Sequence, residues 1–135
     1  MSQSSTDIDN VKAANFAFYD ALSKRDMGAM QQLWAQTPDI ILIAPPVRPV
    51  AHIGWEAIKK QFDEYWPTFE QLDVSMEPEA IRISGGVAWV YGVEVAQRRT
   101  RTGESSASFN VGTNIFVNER GRWLLAFHQS SAIAI

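Results

Sequence analysis

Thr113-Asn114-Ile115-Phe116-Val117-Asn118-Glu119-Arg120-Gly121-Arg122-Trp123-Leu124-Leu125-Ala126-Phe127-His128-Gln129-Ser130-Ser131 reads as strand, tight turn, strand. Apolar residues recur at a period near two on both sides of the Glu119-Arg120-Gly121 turn. Asn114, His128 and Ser130 stand among them where a strand built only for a core would carry Val or Ile. A polar group on an apolar strand costs free energy unless it is hydrogen-bonded, and a lined pocket is one reason to keep it.

Working outward, the same period covers residues 72 to 84, 87 to 98 and 106 to 117, with turns at Ser84-Gly85-Gly86 and Arg101-Thr102-Gly103-Glu104. Pro78 within the first of these predicts a bulge or an edge position. Upstream the period is helical. Ile8, Val11, Ala14, Asn15, Phe18 and Leu22 share one helical face, with Tyr19 on its flank. Helices are expected near 7–24, 27–36 and 54–66, the second capped by Asp26 and the third opened by Gly54. A strand over 39–43 stops at Pro45-Pro46, and three prolines between 45 and 53 predict irregular structure there. Three helices followed by an antiparallel meander make an α+β domain. Residues 1–6 are expected to be a flexible polar start and 7–135 one domain.

The bulk numbers narrow the function classes. The 135 residues are 46% hydrophobic and carry a net charge of −3, so no basic footprint for nucleic acid or an acidic membrane is expected. The absence of cysteine removes disulfides and thiol chemistry. Two histidines without metal-ligand spacing predict no metal, and no cofactor is expected. No apolar run approaches the ~20 residues of a membrane helix, and the polar start does not read as a signal peptide. A cytoplasmic protein is the expectation.

The chain resembles the SnoaL-like branch of the nuclear transport factor 2-like, or ketosteroid isomerase-like, superfamily. Three passages carry the likeness: Phe18-Tyr19-Asp20-Ala21-Leu22 through Leu33-Trp34-Ala35, His52-Ile53-Gly54-Trp55-Glu56-Ala57-Ile58, and Thr113 to Phe116 with Trp123 to Ser131. The resemblance implies a cone, a curved and mostly antiparallel sheet around an open cavity, with helices closing the other side. The same cone hosts isomerases, cyclases, dehydratases and association modules, so it implies fold better than function.

Period alone does not say which strand face is inside, because both are apolar. The resemblance implies that Trp89, Tyr91, Asn110, Asn114, His128 and Ser130 face the cavity. Glu94 then falls on the outer parity with Val90, and His128 has no nearby carboxylate. The outer face, with Val90, Val111, Ile115, Trp123 and Leu125, needs cover, and a homodimer is expected there. Trp34, Trp55, Trp66 and Trp89 read as aromatic wall suited to a hydrophobic or aromatic ligand.

Among the candidate chemistry, His128 reads either as a general acid or base or as a satisfied core histidine. Tyr19 sits where ketosteroid isomerases place an oxyanion-stabilising phenol, and equally where a helix packs. Ala44-Pro45 occupies the place at which those isomerases carry an Asp, and other SnoaL-like proteins a His, before Pro. Ala cannot take a proton. His52 is expected to face solvent from a loop, and Arg98-Arg99-Thr100-Arg101 to be a solvated hairpin tip. Two functions follow: a pocket protein for a hydrophobic small molecule, or a cofactor-free isomerase, cyclase or dehydratase acting on a carbonyl compound. In the second, His128 would be the acid/base, with Tyr19 and Asn114 as donors to an oxyanion.

Overall fold

A computed structural model describes residues 5–44 and 50–133. Helix α1 spans Ser5–Lys24, α2 Met27–Leu33 and α3 Trp55–Tyr65, followed by a single 3-10 turn at Trp66–Thr68. Strands β1 (Ile41–Ile43), β2 (Ala51–Ile53), β3 (Phe69–Ser84), β4 (Val87–Thr100), β5 (Ser105–Glu119) and β6 (Arg122–Ala132) form one curved sheet. Its order is β2-β1-β6-β5-β4-β3, antiparallel throughout except for the β1–β6 pair.

The helix reading holds with local differences. The Asp26 carboxylate accepts from the Ala29 N–H at 3.0 Å and caps α2. That helix stops at Leu33 rather than 36, because Trp34 bridges to Leu125 and the Ala35 N–H donates to the Leu125 carbonyl. The region expected to be irregular contains a short strand. Val50 through Ile53 return against β1, with His52 opposite Leu42, and His52 is buried rather than solvent-facing. Residues 45–49 of the expected irregular loop and residues 1–4 of the flexible start expected over 1–6 lie outside the described residues, whereas Ser5 and Thr6 already belong to α1.

Pro78 has both consequences that a strand proline predicts. β3 is an edge of the sheet, and its register slips between Pro78 and Ala80, leaving Glu79 as the extra residue. Between the sheet and the helices sits a core of Val11, Phe18, Met30, Trp34, Ile40, Ile58, Val90, Phe116 and Leu125, each no more than 1% exposed. Trp66 is also buried and stacks on Phe62 at 4.8 Å.

The expected strand faces are overturned in two places. On β4 the inner face is Ala88, Val90, Gly92, Glu94 and Ala96, and Trp89 and Tyr91 point outward, 42% and 39% exposed. The ladder decides this: Val90 pairs with buried Asn114 and Tyr91 with Thr113. On β6 a bulge lies in the way. Ile115 pairs with Phe127 but Phe116 pairs with Leu125, so Ala126 is extra. An extra residue flips parity, which puts Trp123 and Leu125 on the same inner face as His128 and Ser130. Val90, Trp123 and Leu125 are therefore core, not outer cover. Val111 and Ile115 remain on the outer face, alternating with buried Gly112, Asn114 and Phe116.

Candidate functional site

The inner face of β4–β5–β6 and one stripe of α1 build the site together. Asn15 and Tyr19 are one helical turn apart on that stripe, and Phe18 is beside them. On the sheet, Asn114 lies opposite His128, Gly112 opposite Ser130, and Asn110 opposite Glu94. Gly112 is the key to the geometry. A Cβ there would lie 2.9 Å from Glu94 Cγ, so the missing side chain lets Glu94 cross β5 to reach β6.

Glu94, 2% exposed, is the centre. Its Oε2 accepts from the Tyr19 hydroxyl at 2.7 Å, and its Oε1 accepts from the Ser130 hydroxyl at 2.5 Å and from Asn110 Nδ2 at 3.5 Å. All these bonds are donated to it, the pattern that an ionised carboxylate takes. His128 Nε2 stands 3.8 Å from Oε2, too far for a hydrogen bond and close enough for strong electrostatic coupling.

The tautomer of His128 follows from its neighbours. Asn114 Nδ2 donates to Asn15 Oδ1 at 2.8 Å and to the Tyr19 hydroxyl at 3.1 Å. Its Oδ1 therefore faces His128 Nδ1, 2.5 Å away, and Nδ1 carries the proton. Nε2 is left with its lone pair on the Glu94 side. Burial lowers the histidine's pKa, and the Glu94 charge opposes that only in part, so the ring is neutral around pH 7. Burial first, and then the Glu94 charge, push the Tyr19 phenol far above its ordinary pKa, so it stays protonated as a donor. The Phe18 ring lies 4.8 Å from the imidazole and shields it from solvent.

His128, Glu94, Ser130 and Asn110 line a cavity of about 400 Å³, whose remaining wall includes Phe18, Leu22, Leu42, Phe62, Leu72 and Val74. The volume suits a small organic molecule. Ala44 contributes a methyl to the same wall. Asn114 and Tyr19 lie directly behind the lining. Trp34 is buried in the core, Trp55 is partly buried against it, and neither lines the cavity; nor do outward-facing Trp89 and Tyr91. The sequence reading missed Glu94, Asn15 and Arg98. A carboxylate between Val93 and Val95 in mid-strand was the available signal. Among the described residues, no three of His, Asp and Glu converge into a metal-ligating group.

A curved sheet wrapped on three helices, with a polar floor inside an apolar cone, defines a small pocket domain of the α+β class. The chain belongs to the SnoaL-like domain family, which matches residues 11–135. The fold is shared by a candidate dehydratase of the NTF2-like family from Streptomyces avermitilis: 20% identity, 98% of this chain and 100% of that one covered, TM-score 0.86. A type 2 hexachlorocyclohexane dehydrochlorinase, LinA, superposes with TM-score 0.84 at 13% identity, over 96% of this chain and 86% of that one. The S. rosetta CaMKII hub does so with TM-score 0.77 at 20% identity, over 93% and 95%. At these identities the likeness is one of fold. No curated protein matches the chain by sequence.

Proposed function

We propose that the protein binds a small hydrophobic or aromatic carbonyl compound in its cavity and moves a proton on it without a cofactor, as a dehydratase or isomerase does. The observation that carries this reading is the Glu94–His128 pair on the cavity floor. A neutral imidazole with a lone pair at Nε2 is a base, and a carboxylate 3.8 Å away stabilises the imidazolium formed when it takes a proton. Asn114 fixes the ring through Nδ1, so the base is oriented before substrate arrives.

In an elimination, Nε2 takes the proton α to the carbonyl and the C–H electron pair forms the new double bond. The bond to the β-hydroxyl breaks, and the proton passes from the imidazolium to the departing oxygen as water. In an isomerisation the same proton returns to another carbon. Asn110, whose bond to Glu94 is long, has an N–H to spare for the substrate oxygen. That two proteins of this fold bear the names dehydratase and dehydrochlorinase supports an elimination.

Incubation in D₂O with a panel of cyclic β-hydroxyketones and enones, followed by proton NMR, tests the chemistry. Wild type should exchange an α-proton or release water, and His128→Gln and Glu94→Gln should each lower the rate at least about 100-fold. Binding of panel members without exchange above background would overturn it. Ala44 favours the second reading, a binding protein without turnover, since this wall presents a methyl where SnoaL-like enzymes carry an acid or a base.

We also infer that the chain forms a homodimer through the outer sheet face. Trp89, Tyr91, Val95 and Phe109 are each 37–44% exposed on contiguous strands β4 and β5, a patch that calls for cover. The likeness to a hub domain is consistent with self-association. Light scattering should give a dimer mass, and Tyr91→Asp should yield a folded monomer. A monomeric wild type at 100 micromolar or so would refute it.

A further inference from the structure

Arg98 lines the cavity, and the proton-transfer site does not use it. It stands on the inner face of β4, four residues beyond Glu94, and lines the same cavity as His128. Its Nη2 donates to Ser108 Oγ at 3.0 Å and its Nη1 to Ser106 Oγ at 3.4 Å. Ser108 is paired with Ala96, two residues nearer to Glu94 than Arg98 itself. The side chain therefore leans back along the strand, toward the cavity, instead of projecting from the hairpin tip as its neighbour Arg99 does.

Two observations leave this guanidinium without a counter-ion. Nε is buried and has no hydrogen-bond partner, and both of its held nitrogens are met by neutral hydroxyls. Among the described residues, no carboxylate lies within ion-pair distance of it. A guanidinium presents a planar fork that matches a carboxylate, and leaving a buried donor unmade is costly. Glu94 does not fill the role, since Tyr19 and Ser130 already satisfy it.

We propose that Arg98, held by Ser106 and Ser108, is the carboxylate-binding end of the cavity, and that the ligand is an organic acid whose apolar body extends from there to Glu94 and His128. The spacing supports a compact body. Ser108 and Asn110 are two residues apart on β5, roughly 7 Å along a strand, and Asn110 lies beside Glu94. One aromatic ring, or a chain of four to six carbons, bridges that distance. The apolar residues between, Leu72, Val74 and Ala96, suit such a body. This inference rests on the proposal that the cavity takes a small molecule, and it specifies which class.

The test uses cinnamate and its neutral isostere cinnamamide, titrated into the whole protein and followed by NMR shifts of β4 and β5 amides and by calorimetry. Cinnamate should bind wild type at least tenfold tighter than the amide. Arg98→Gln should abolish that preference while leaving amide affinity unchanged, and Arg98→Lys should restore part of it. If Arg98→Gln fails to fold, Ser108→Ala, which frees the guanidinium without removing its charge, should weaken cinnamate severalfold and spare the amide. Equal binding of acid and amide to wild type, with shifts in the cavity, would overturn the carboxylate subsite and leave the pocket reading intact. No binding of either compound at millimolar concentration would overturn both.

Discussion

The two faces of β4 differ in a way opposite to the usual expectation for a strand beside a core. The inner face runs Ala88, Val90, Gly92, Glu94, Ala96, Arg98, mostly small or charged; the outer face runs Trp89, Tyr91, Val93, Val95, large and apolar. Hydrophobicity alone would turn the strand over. What holds it this way is the space between sheet and helix. α1 packs chiefly on β3 and reaches β4 through the Tyr19–Glu94 bond, and small residues on the inner face leave room for a cavity and for one carboxylate crossing it. A pocket inverts the size pattern of its wall, and here the large side chains go to the outer face.

The largest effect should come from contrasting one aromatic on each side of neighbouring β5. Phe116 is 1% exposed in the core and Phe109 is 44% exposed on the outer face. Phe116→Ala should lower unfolding free energy by about 3–5 kcal/mol, the cost of a large core truncation. Phe109→Ala should cost under about 1 kcal/mol at low protein concentration. Urea denaturation reads both, and similar losses would mean that the faces are misassigned.

A second, smaller effect sharpens the inner-face argument. Gly112→Ala places a Cβ 2.9 Å from Glu94 Cγ and 3.0 Å from its Oε2. The carboxylate must swing away from Ser130, so stability should fall by about 1–3 kcal/mol. The His128 imidazole NMR signals should move, because their charged neighbour has moved. Unchanged signals would show that Glu94 does not need the gap.

The smallest effect is in the pH dependence. Burial lowers the pKa of His128 in the folded chain below its ordinary 6.5, so the unfolded chain takes that proton first. Stability from this group is fully present above about pH 6.5 and is lost as pH falls toward the folded value. The slope is at most one proton, about 1.4 kcal/mol per pH unit. His128→Gln should flatten the curve between pH 6.5 and 5 relative to wild type. A wild-type curve that rises as pH falls through that window would mean that Glu94 holds the ring protonated.

Much of the fold was legible because it depends on local periodicity. The helical stripe Val11, Asn15, Phe18, Leu22 and the period of two after residue 70 separate helices from sheet without any tertiary information. Pro78 announced its bulge at an edge, since a residue with no N–H has nowhere else to go in a sheet. His128, Asn110, Asn114 and Ser130 stood out as polar residues on an apolar strand, and Asn15 was visible on its stripe without a stated role.

What the chain alone settled is therefore the order of elements, their type and a short list of polar residues needing partners; all of these follow from neighbours within a few positions. Inside and outside were decided by tertiary structure. The bulge at Ala126 flips the parity of half of β6 and turns Trp123 and Leu125 inward, while the unbroken β4–β5 ladder, by setting Val90 opposite Asn114, puts Glu94 inward and Trp89 outward. Pairing Glu94 with His128 required in addition a gap at Gly112 and a helix turn carrying Tyr19. Contacts of that kind join residues tens of positions apart, and no period in the sequence encodes them.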